Sequence, residues 1–275
     1  MFADDTNIFI SGKNLDHIAS VVNIELKTIN TWFSVNLLSL NIKKTNYMLF
    51  GNKKLCDASI SINKENITRV FQTKFLGVII QSNLRWNAHI SSIANKISKT
   101  IGVINKAKHA LDPCHLKMLY QCLIEPYLNY CCIVWASPVK NTALESLFKL
   151  QKRSVRIICF AGFKAHTLPL FKQLSVLSIY HLCLIQTLIY VYKSINLLLP
   201  NHITNYFTRT SCIHSHSTRT QKHTLYINTA IKSCRVYSLA CSGPKHWNKL
   251  PDTIQSAPSL GIFKSNLKRY IFSTI

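Results

Sequence analysis

Two adjacent aspartates near the start of the chain are the feature with the clearest chemical meaning. Asp4 and Asp5 follow Phe2 and Ala3 and precede a short apolar run at residues 8–10. The flanking β-forming residues favour a hairpin turn, with Phe2 on one strand and the apolar run on the other. Neighbouring carboxylates repel each other unless a divalent cation lies between them, and Mg²⁺ or Mn²⁺ suits their oxygen atoms. The pair therefore predicts a metal site for phosphoryl transfer or, as the plainer alternative, a solvated turn.

The charge balance points to a polyanionic partner. The 275 residues include 33 Lys and Arg against ten Asp and Glu, which gives a formal net charge of +23. No acid occurs between Glu145 and Asp252, whereas fourteen Lys or Arg fall there. Such a field attracts nucleic acid, and it leaves little room for carboxylate-based acid–base catalysis in the distal half. An anionic membrane surface, or no specific partner, is the alternative.

The elements that position these residues are predicted from hydrophobic periodicity. The first part of the chain mixes helical and strand patterns, the rest is mainly helical, and an apolar share of 48% is sufficient for a packed core. We expect a hairpin between 58–62 and 67–70 with a polar four-residue turn at 63–66, and a continuous strand at 75–80 that contains Gly77. The remaining predicted elements are a helix at 14–33 capped by Asn14, a turn near Asn41, a strand at 45–50, and helices from about 86, from Pro113 to a break at Pro126, at 142–160 and from 260.

Two stretches of the distal half are ambiguous. Residues 173–192 carry no formal charge and are long enough to cross a bilayer. Polar side chains interrupt the stretch, so we prefer a buried helix and expect no membrane partner. Residues 201–224 are rich in Ser, Thr and His, which predicts a linker or an irregular basic segment.

Cysteine and histidine offer a second possible metal site. The ten cysteines show no CxxC spacing and no secretory signal precedes them, which favours an intracellular location, nuclear or cytoplasmic, rather than secretion. The spacing of the distal Cys and His residues matches no compact zinc pattern, so a flexible His-rich segment is the preferred interpretation. The zinc candidates are Cys212, His214, His216, His223, Cys234, Cys241 and His246.

Several motifs, taken in order, indicate a family. They are Phe-Ala-Asp-Asp at 2–5, Leu-Asn-Ile-Lys-Lys-Thr-Asn-Tyr-Met-Leu-Phe at 40–50, and Phe-Leu-Gly-Val-Ile-Ile at 75–80. The segments at 118–136 and 147–158 and the Trp-Asn-Lys-Leu-Pro at 247–251 extend the match over nearly the whole chain. The chain thus resembles the C-terminal part of reverse transcriptases from non-LTR retrotransposons of the jockey-like lineages.

This resemblance implies a fold and a division into regions. The fold would be α+β, with the remnant of a polymerase palm, made of short antiparallel strands and a long helix, followed by a mainly α-helical thumb-like region. The C-terminal half of the palm would occupy residues 1–80 and the thumb-like region residues 81–200. A basic, partly irregular C-terminal segment would occupy residues 201–275.

The resemblance also implies a reaction and the residues that perform it. RNA-directed DNA synthesis proceeds by two-metal nucleotidyl transfer on an RNA template and a DNA primer, with dNTP as the small-molecule substrate. Asp4 would bind Mg²⁺ or Mn²⁺ and Asp5 would assist it less directly. Lys44 would steady the incoming triphosphate or protonate the departing pyrophosphate. The primer grip would be formed by Phe75, Leu76 and Gly77.

The sequence departs from the family pattern in its acids. A two-metal site of this type needs a further aspartate from a palm strand that precedes the Ala-Asp-Asp turn, and no residue of this sequence can supply it. The fingers are missing as well. We therefore expect this chain to be a reverse transcriptase fragment that is inactive alone. A non-catalytic RNA- or DNA-binding protein derived from a mobile element is the alternative.

A basic helix in the distal half is the best candidate for contacting nucleic acid. Four cations occur within the predicted helix at 142–160, interleaved with Phe148 and Phe160. Cations mixed with aromatic rings suit phosphate groups and bases, whereas an ordinary solvated face is the alternative. The four candidate residues are Lys149, Lys152, Arg153 and Arg156.

Overall fold

The computed structural model describes residues 6–51, 58–136, 142–204, 206–213, 224–227 and 238–274. The chain folds into two compact units, Met1–Trp86 and Asn87–Ile275. The first combines a long helix with short strand pairs, and the second is built mainly from helices, which confirms the predicted α+β class. The region boundaries predicted at residues 80 and 200 stay a prediction.

In the first unit a long helix accompanies three pairs of short strands. The helix begins where the sequence predicts, because the Asn14 side chain accepts a hydrogen bond from the Asp16 backbone N–H at 3.0 Å. Strand β1 pairs with β4 in parallel, whereas β2–β3 and β5–β6 are antiparallel. The described elements are α1 (Leu15–Val35), β1 (Asn46–Tyr47), β2 (Ser61–Ile62), β3 (Glu65–Asn66), β4 (Thr68–Arg69), β5 (Gln72–Phe75) and β6 (Val78–Gln81).

An asparagine side chain ties α1 to the strand region. The Asn23 Nδ2 group donates to the Ser59 carbonyl oxygen at 2.9 Å, and its Oδ1 accepts from the Ser61 N–H at 3.0 Å. One turn further along α1, Leu26 is buried together with Ile60, Ile62 and Ile67. The amide therefore satisfies backbone groups at the edge of the apolar cluster, where water would otherwise have to reach them.

Three predictions about the first strands are wrong in whole or in part. Residues 8–10 form no strand, and Phe9 is 81% exposed; Phe2, Asp4 and Asp5 of the same predicted hairpin lie outside the described residues. The predicted strand at 45–50 is reduced to Asn46–Tyr47, because its described partner, Thr68–Arg69, is equally short. The predicted four-residue turn at 63–66 contracts to two residues. Asn63 and Lys64 have φ angles of 51° and 69°, which permits the tight hairpin turn that joins β2 to β3.

The apolar run at 75–80 is a hairpin rather than one strand. β5 ends at Phe75 and β6 begins at Val78, and the two pair with each other in antiparallel register. Leu76 and Gly77 form the turn with φ angles of 45° and 83°. Two apolar half-strands joined by two residues look continuous in sequence, so the prediction missed the reversal. Gly77 serves a turn that needs positive φ, not the close approach of another backbone.

In the second unit most of the predicted helix boundaries are confirmed. Asp112 caps one helix by accepting from the His115 N–H at 3.0 Å, with Pro113 as the first helical residue, and that helix ends before Pro126. The described helices are α2 (Asn87–Ala107), α3 (Pro113–Leu123), α4 (Glu125–Asn129), α5 (Cys132–Trp135), α6 (Thr142–Ile158), α7 (Thr167–Leu174), α8 (Ile179–Ile195), α9 (Asn201–Thr204), α10 (Leu239–Trp247), α11 (Asp252–Gln255) and α12 (Leu260–Thr274).

The segment predicted to be irregular contains some structure. It includes α9 and a 3₁₀ turn at Thr210–Cys212, and Arg209 forms an isolated β-bridge with Leu225. Residues 214–223 lie outside the described part. Within the ranges that the structure describes, no single helix is long and apolar enough to span a membrane. α7 and α8, bent by 50° at their junction, meet the length and composition required only when they are taken together.

A buried glutamine amide joins three parts of the second unit. Gln151 of α6 is 1% exposed, and its Nε2 donates to the Tyr120 hydroxyl at 2.7 Å and to the Leu177 carbonyl oxygen at 2.8 Å. Its Oε1 accepts from the Ile179 N–H at 2.9 Å. Burial raises the pKa of Tyr120, so the phenol keeps its proton. The amide thus links α6 to α3 and to the start of α8 while leaving these buried groups satisfied.

Replacing Gln151 should destabilise the second unit. Gln151→Met keeps the volume but leaves three buried partners without the amide, which should cost at least about 2 kcal/mol in the free energy of unfolding. Chemical denaturation followed by circular dichroism measures the change. Ser154→Ala is the matched control, because the buried Ser154 hydroxyl bonds only the Leu150 carbonyl oxygen of its own helix at 3.0 Å. Equal losses in the two variants would contradict the linking role of the amide.

Two half-buried histidines should make the second unit sensitive to acid. Burial lowers the pKa of His181 and of His246 below 6.5, and Lys249 and Lys245 lower that of His246 further. As the pH falls below 6.5 the unfolded chain binds protons that the folded chain still excludes, so the free energy of unfolding should decrease. Above pH 6.5 the stability that these two neutral histidines contribute is fully present. Denaturation titrations between about pH 7 and pH 5 should give a shallower pH dependence for His181→Gln/His246→Gln than for the wild type. An identical pH dependence in the variant and the wild type would contradict the assignment of this acid sensitivity to His181 and His246.

Candidate nucleic-acid interface

Helix α6 separates an inward face from a basic face. At about 100° per residue, its buried side chains lie within roughly 60° of Gln151 around the helix axis, whereas its cations lie at least roughly 100° away. The buried set packs against the rest of the unit and comprises Leu144, Leu147, Ser154, Val155 and Ile158. The other side carries the predicted set, Lys149, Lys152, Arg153 and Arg156, of which Lys149 and Arg153 are exposed and the other two half-buried.

All four predicted cations line one groove of about 890 Å³. Asn105 of α2 and Lys108, just beyond its end, contribute to the lining, and Phe160 and Phe163 follow the end of α6. The sequence prediction missed Lys108 and Phe163, because Lys108 belongs to a distant part of the chain and Phe163 lies beyond the helical pattern. The basic residues at the end of α2, Lys106 and Lys108, were the available signal.

Two of the cations also make contacts inside the protein. The Lys152 Nζ lies 4.0 Å from the centre of the Phe148 ring, a favourable cation–π distance. Phe148 is half-buried and packs edge-on against Tyr180, with ring centres 5.2 Å apart. Phe148 is thus a packing residue beneath the basic face, rather than a residue of the groove lining. The Arg156 Nε donates to the Ala165 carbonyl oxygen at 2.9 Å and so fixes the loop that follows α6.

The electrostatic field of this unit is strongly positive. Residues 87–275 contain 23 of the Lys and Arg and four of the acids. None of the described residues that line the groove is acidic. Glu145 precedes the lining residue Ser146 and lies one turn before Lys149 in α6. It accepts from the Tyr180 hydroxyl at 3.0 Å, and burial together with this carboxylate raises the pKa of Tyr180 to about 12. The five cations of the lining outnumber this one neighbouring carboxylate, so the groove can attract phosphate groups.

The palm-like residues predicted from the resemblance are only partly described. Lys44 is exposed in a turn where its N–H donates to the Asn41 carbonyl oxygen at 3.1 Å. Leu76 and Gly77 form the exposed tip of the β5–β6 hairpin, and Phe75 is half-buried at the end of β5. Asp4 and Asp5 lie outside the described residues. The catalytic role of Lys44 and the primer-grip role of the hairpin tip stay predictions.

A metal site needs several donor side chains that converge on one point. Over the ranges that the structure covers, no three His, Cys, Asp or Glu side chains come together in a way that could hold a metal ion. Of the zinc candidates, Cys212, Cys241 and His246 are described and belong to no such group; His214, His216, His223 and Cys234 lie outside. Asp4 and Asp5, the ligands implied for Mg²⁺ or Mn²⁺, lie outside as well. The described residues therefore provide no support for a catalytic step at a metal.

Comparison with known proteins gives one informative similarity. The chain is 23% identical over 178 residues to the RNA-directed DNA polymerase from mobile element jockey of Drosophila funebris. The aligned part is 64% of this chain and 19% of the relative, so the chain spans about a fifth of the length of that protein. No family model and no solved structure matches the chain. The similarity confirms that this chain resembles jockey-like reverse transcriptases, as its motifs indicate.

Proposed function

We propose that this chain binds nucleic acid in the course of RNA-directed DNA synthesis, with the groove along α6 as its interface. The observation that supports the proposal is the groove itself, where Lys108 and the four cations of α6 line one surface. The phosphate groups of an RNA template and a DNA primer are the complementary partners. The similarity to a jockey polymerase suggests the reaction in which that binding is used.

The chemical step of the reaction is assigned by the resemblance to Asp4 and Asp5, with Mg²⁺ or Mn²⁺ as the ion that would orient and polarise the phosphate groups. Two acids of the second unit are already in contact with side chains of that unit. Asp112 lies 2.7 Å from the His115 Nδ1, and Glu145 accepts a hydrogen bond from the Tyr180 hydroxyl. Our proposal is that the chain alone binds nucleic acid and does not extend a primer. A non-catalytic binding protein derived from a mobile element would use the same groove and is the second candidate.

Removing two exposed cations of the groove should weaken binding and reduce its salt dependence. Each phosphate contact contributes about 0.7 to 0.9 to the slope of log affinity against log salt, so Lys149→Gln/Arg153→Gln should flatten that slope by roughly 1.5. Fluorescence anisotropy of a labelled oligonucleotide, titrated at several salt concentrations, measures both quantities. Lys149 and Arg153 are the suitable pair because Lys152 and Arg156 also contact the protein.

Lys264→Gln/Lys268→Gln is the matched control for this experiment. Both residues are exposed on α12, and their replacement lowers the net charge by the same amount. The control pair should change affinity and slope much less than the groove pair. Equal effects would show that the overall charge, not the groove, binds the strand, and would contradict the proposed interface.

Primer extension on an RNA template tests whether the chain also performs the chemical step. With the full chain, dNTP and Mg²⁺ or Mn²⁺, we expect no extended product. A product that disappears in Asp4→Ala would show that a complete catalytic centre is present. The proposal that the chain binds nucleic acid without extending a primer would then be wrong, whatever the effect of the groove variants on binding.

A further inference from the structure

Two exposed phenylalanines stand at the end of the basic groove. Phe160 is 56% exposed and Phe163 is 87% exposed, and both line the groove together with the cations of α6. Exposing an apolar phenylalanine ring to water is unfavourable. Because both rings are largely exposed, packing within the protein does not explain why phenylalanine occurs at these two positions. A ligand with flat apolar faces would cover them.

The backbone conformation of Phe160 fixes its ring at the end of α6. Its φ angle is 51°, in the left-handed region that large L-residues seldom adopt. The Phe160 N–H donates to the Ile157 carbonyl oxygen at 3.2 Å and the Ala161 N–H to the Arg156 carbonyl oxygen at 2.9 Å, which closes the helix. Glycine is the usual residue at such a helix end. Leu37, Ser175 and Leu197 close α1, α7 and α8 with similar φ angles, so this conformation fixes where the Phe160 ring is held and is not by itself a sign of a ligand.

The loop that carries Phe163 is fixed rather than free to collapse onto the protein. The Ala165 N–H donates to the Gly162 carbonyl oxygen at 2.9 Å, and the Ala165 carbonyl oxygen accepts from the Arg156 Nε at 2.9 Å. Arg156 therefore joins the basic face to the loop. Its contact holds Phe163 beside the cations before any ligand arrives, which lowers the ordering cost of binding.

We infer that the groove takes an unpaired strand of nucleic acid, whose phosphates lie along the cations and whose bases stack on Phe160 and Phe163. This inference rests on the proposed function and narrows its ligand. A duplex hides the faces of its bases and would leave both rings uncovered. A single strand exposes a π-face on every base, and stacking on aromatic side chains tolerates any sequence.

An oligonucleotide without bases separates stacking from charge. The full chain is titrated by fluorescence anisotropy with a single strand of about 12 nucleotides and with an abasic strand of equal length and charge. The wild type should bind the base-bearing strand more tightly, and Phe160→Ala/Phe163→Ala should weaken that binding on the order of tenfold. Its affinity for the abasic strand should stay unchanged, which also shows that the variant is folded. RNA and DNA strands should behave alike, because stacking needs only the base.

Ile262→Ala removes a comparably exposed apolar side chain from α12 and serves as the control, with no expected effect on either strand. Equal affinity of the wild type for base-bearing and abasic strands would overturn the stacking inference and leave the groove as a phosphate-binding surface. So would an equal loss on both strands in the double phenylalanine variant. If Lys149→Gln/Arg153→Gln does not weaken binding of the abasic strand, the proposed function fails and the inference fails with it.

Discussion

The amide of Gln151 determines which way the basic helix faces. Its three hydrogen bonds, to Tyr120, Leu177 and Ile179, can form only when this side of α6 is turned into the unit. Apolar side chains alone would tolerate some rotation of the helix, since packing is not strongly directional. Hydrogen bonds at fixed distances do not tolerate it, because a buried amide without partners is costly. The cations of α6 are thus presented to solvent as a consequence of one polar contact in the core.

That orientation concentrates like charges, and the surrounding structure must tolerate their repulsion. α2 packs beside α6 with a buried row of isoleucines, Ile90, Ile93, Ile97, Ile101 and Ile104, and this apolar contact supplies the stability that the charges do not. Water and salt screen the exposed ammonium and guanidinium groups. Bringing a phosphate backbone into the groove would replace this repulsion with attraction, which is why we propose a polyanion as the ligand of this surface.

In the first unit, two of the sequence motifs lie at tight turns. The stretch around Lys44 and the stretch at 75–80 carry the resemblance to reverse transcriptases, and both turn out to be centred on tight turns. Asn41 closes one turn through its backbone carbonyl oxygen, and positive φ angles at Leu76 and Gly77 close the other. Turns are where exposed functional residues are commonly placed.

The sequence by itself determined the longer helices, the Asn14 cap and the charge pattern of α6. Periodicity, Asn14 and Pro113 act within a few residues of each other, and so local chemistry is enough to predict them. The predicted set of four cations was brought together because all four lie on one helix. The strand pairs were not predictable in this way, since the pairing of Asn46–Tyr47 with Thr68–Arg69 depends on partners that are far apart in sequence. For the same reason only the tertiary structure placed Lys108 in the groove: a surface shared by α2 and α6 depends on which helices pack together, and hydrophobic periodicity does not specify that. Phe163 is close to α6 in sequence, but it lies in the loop beyond the helix, where periodicity predicts no direction.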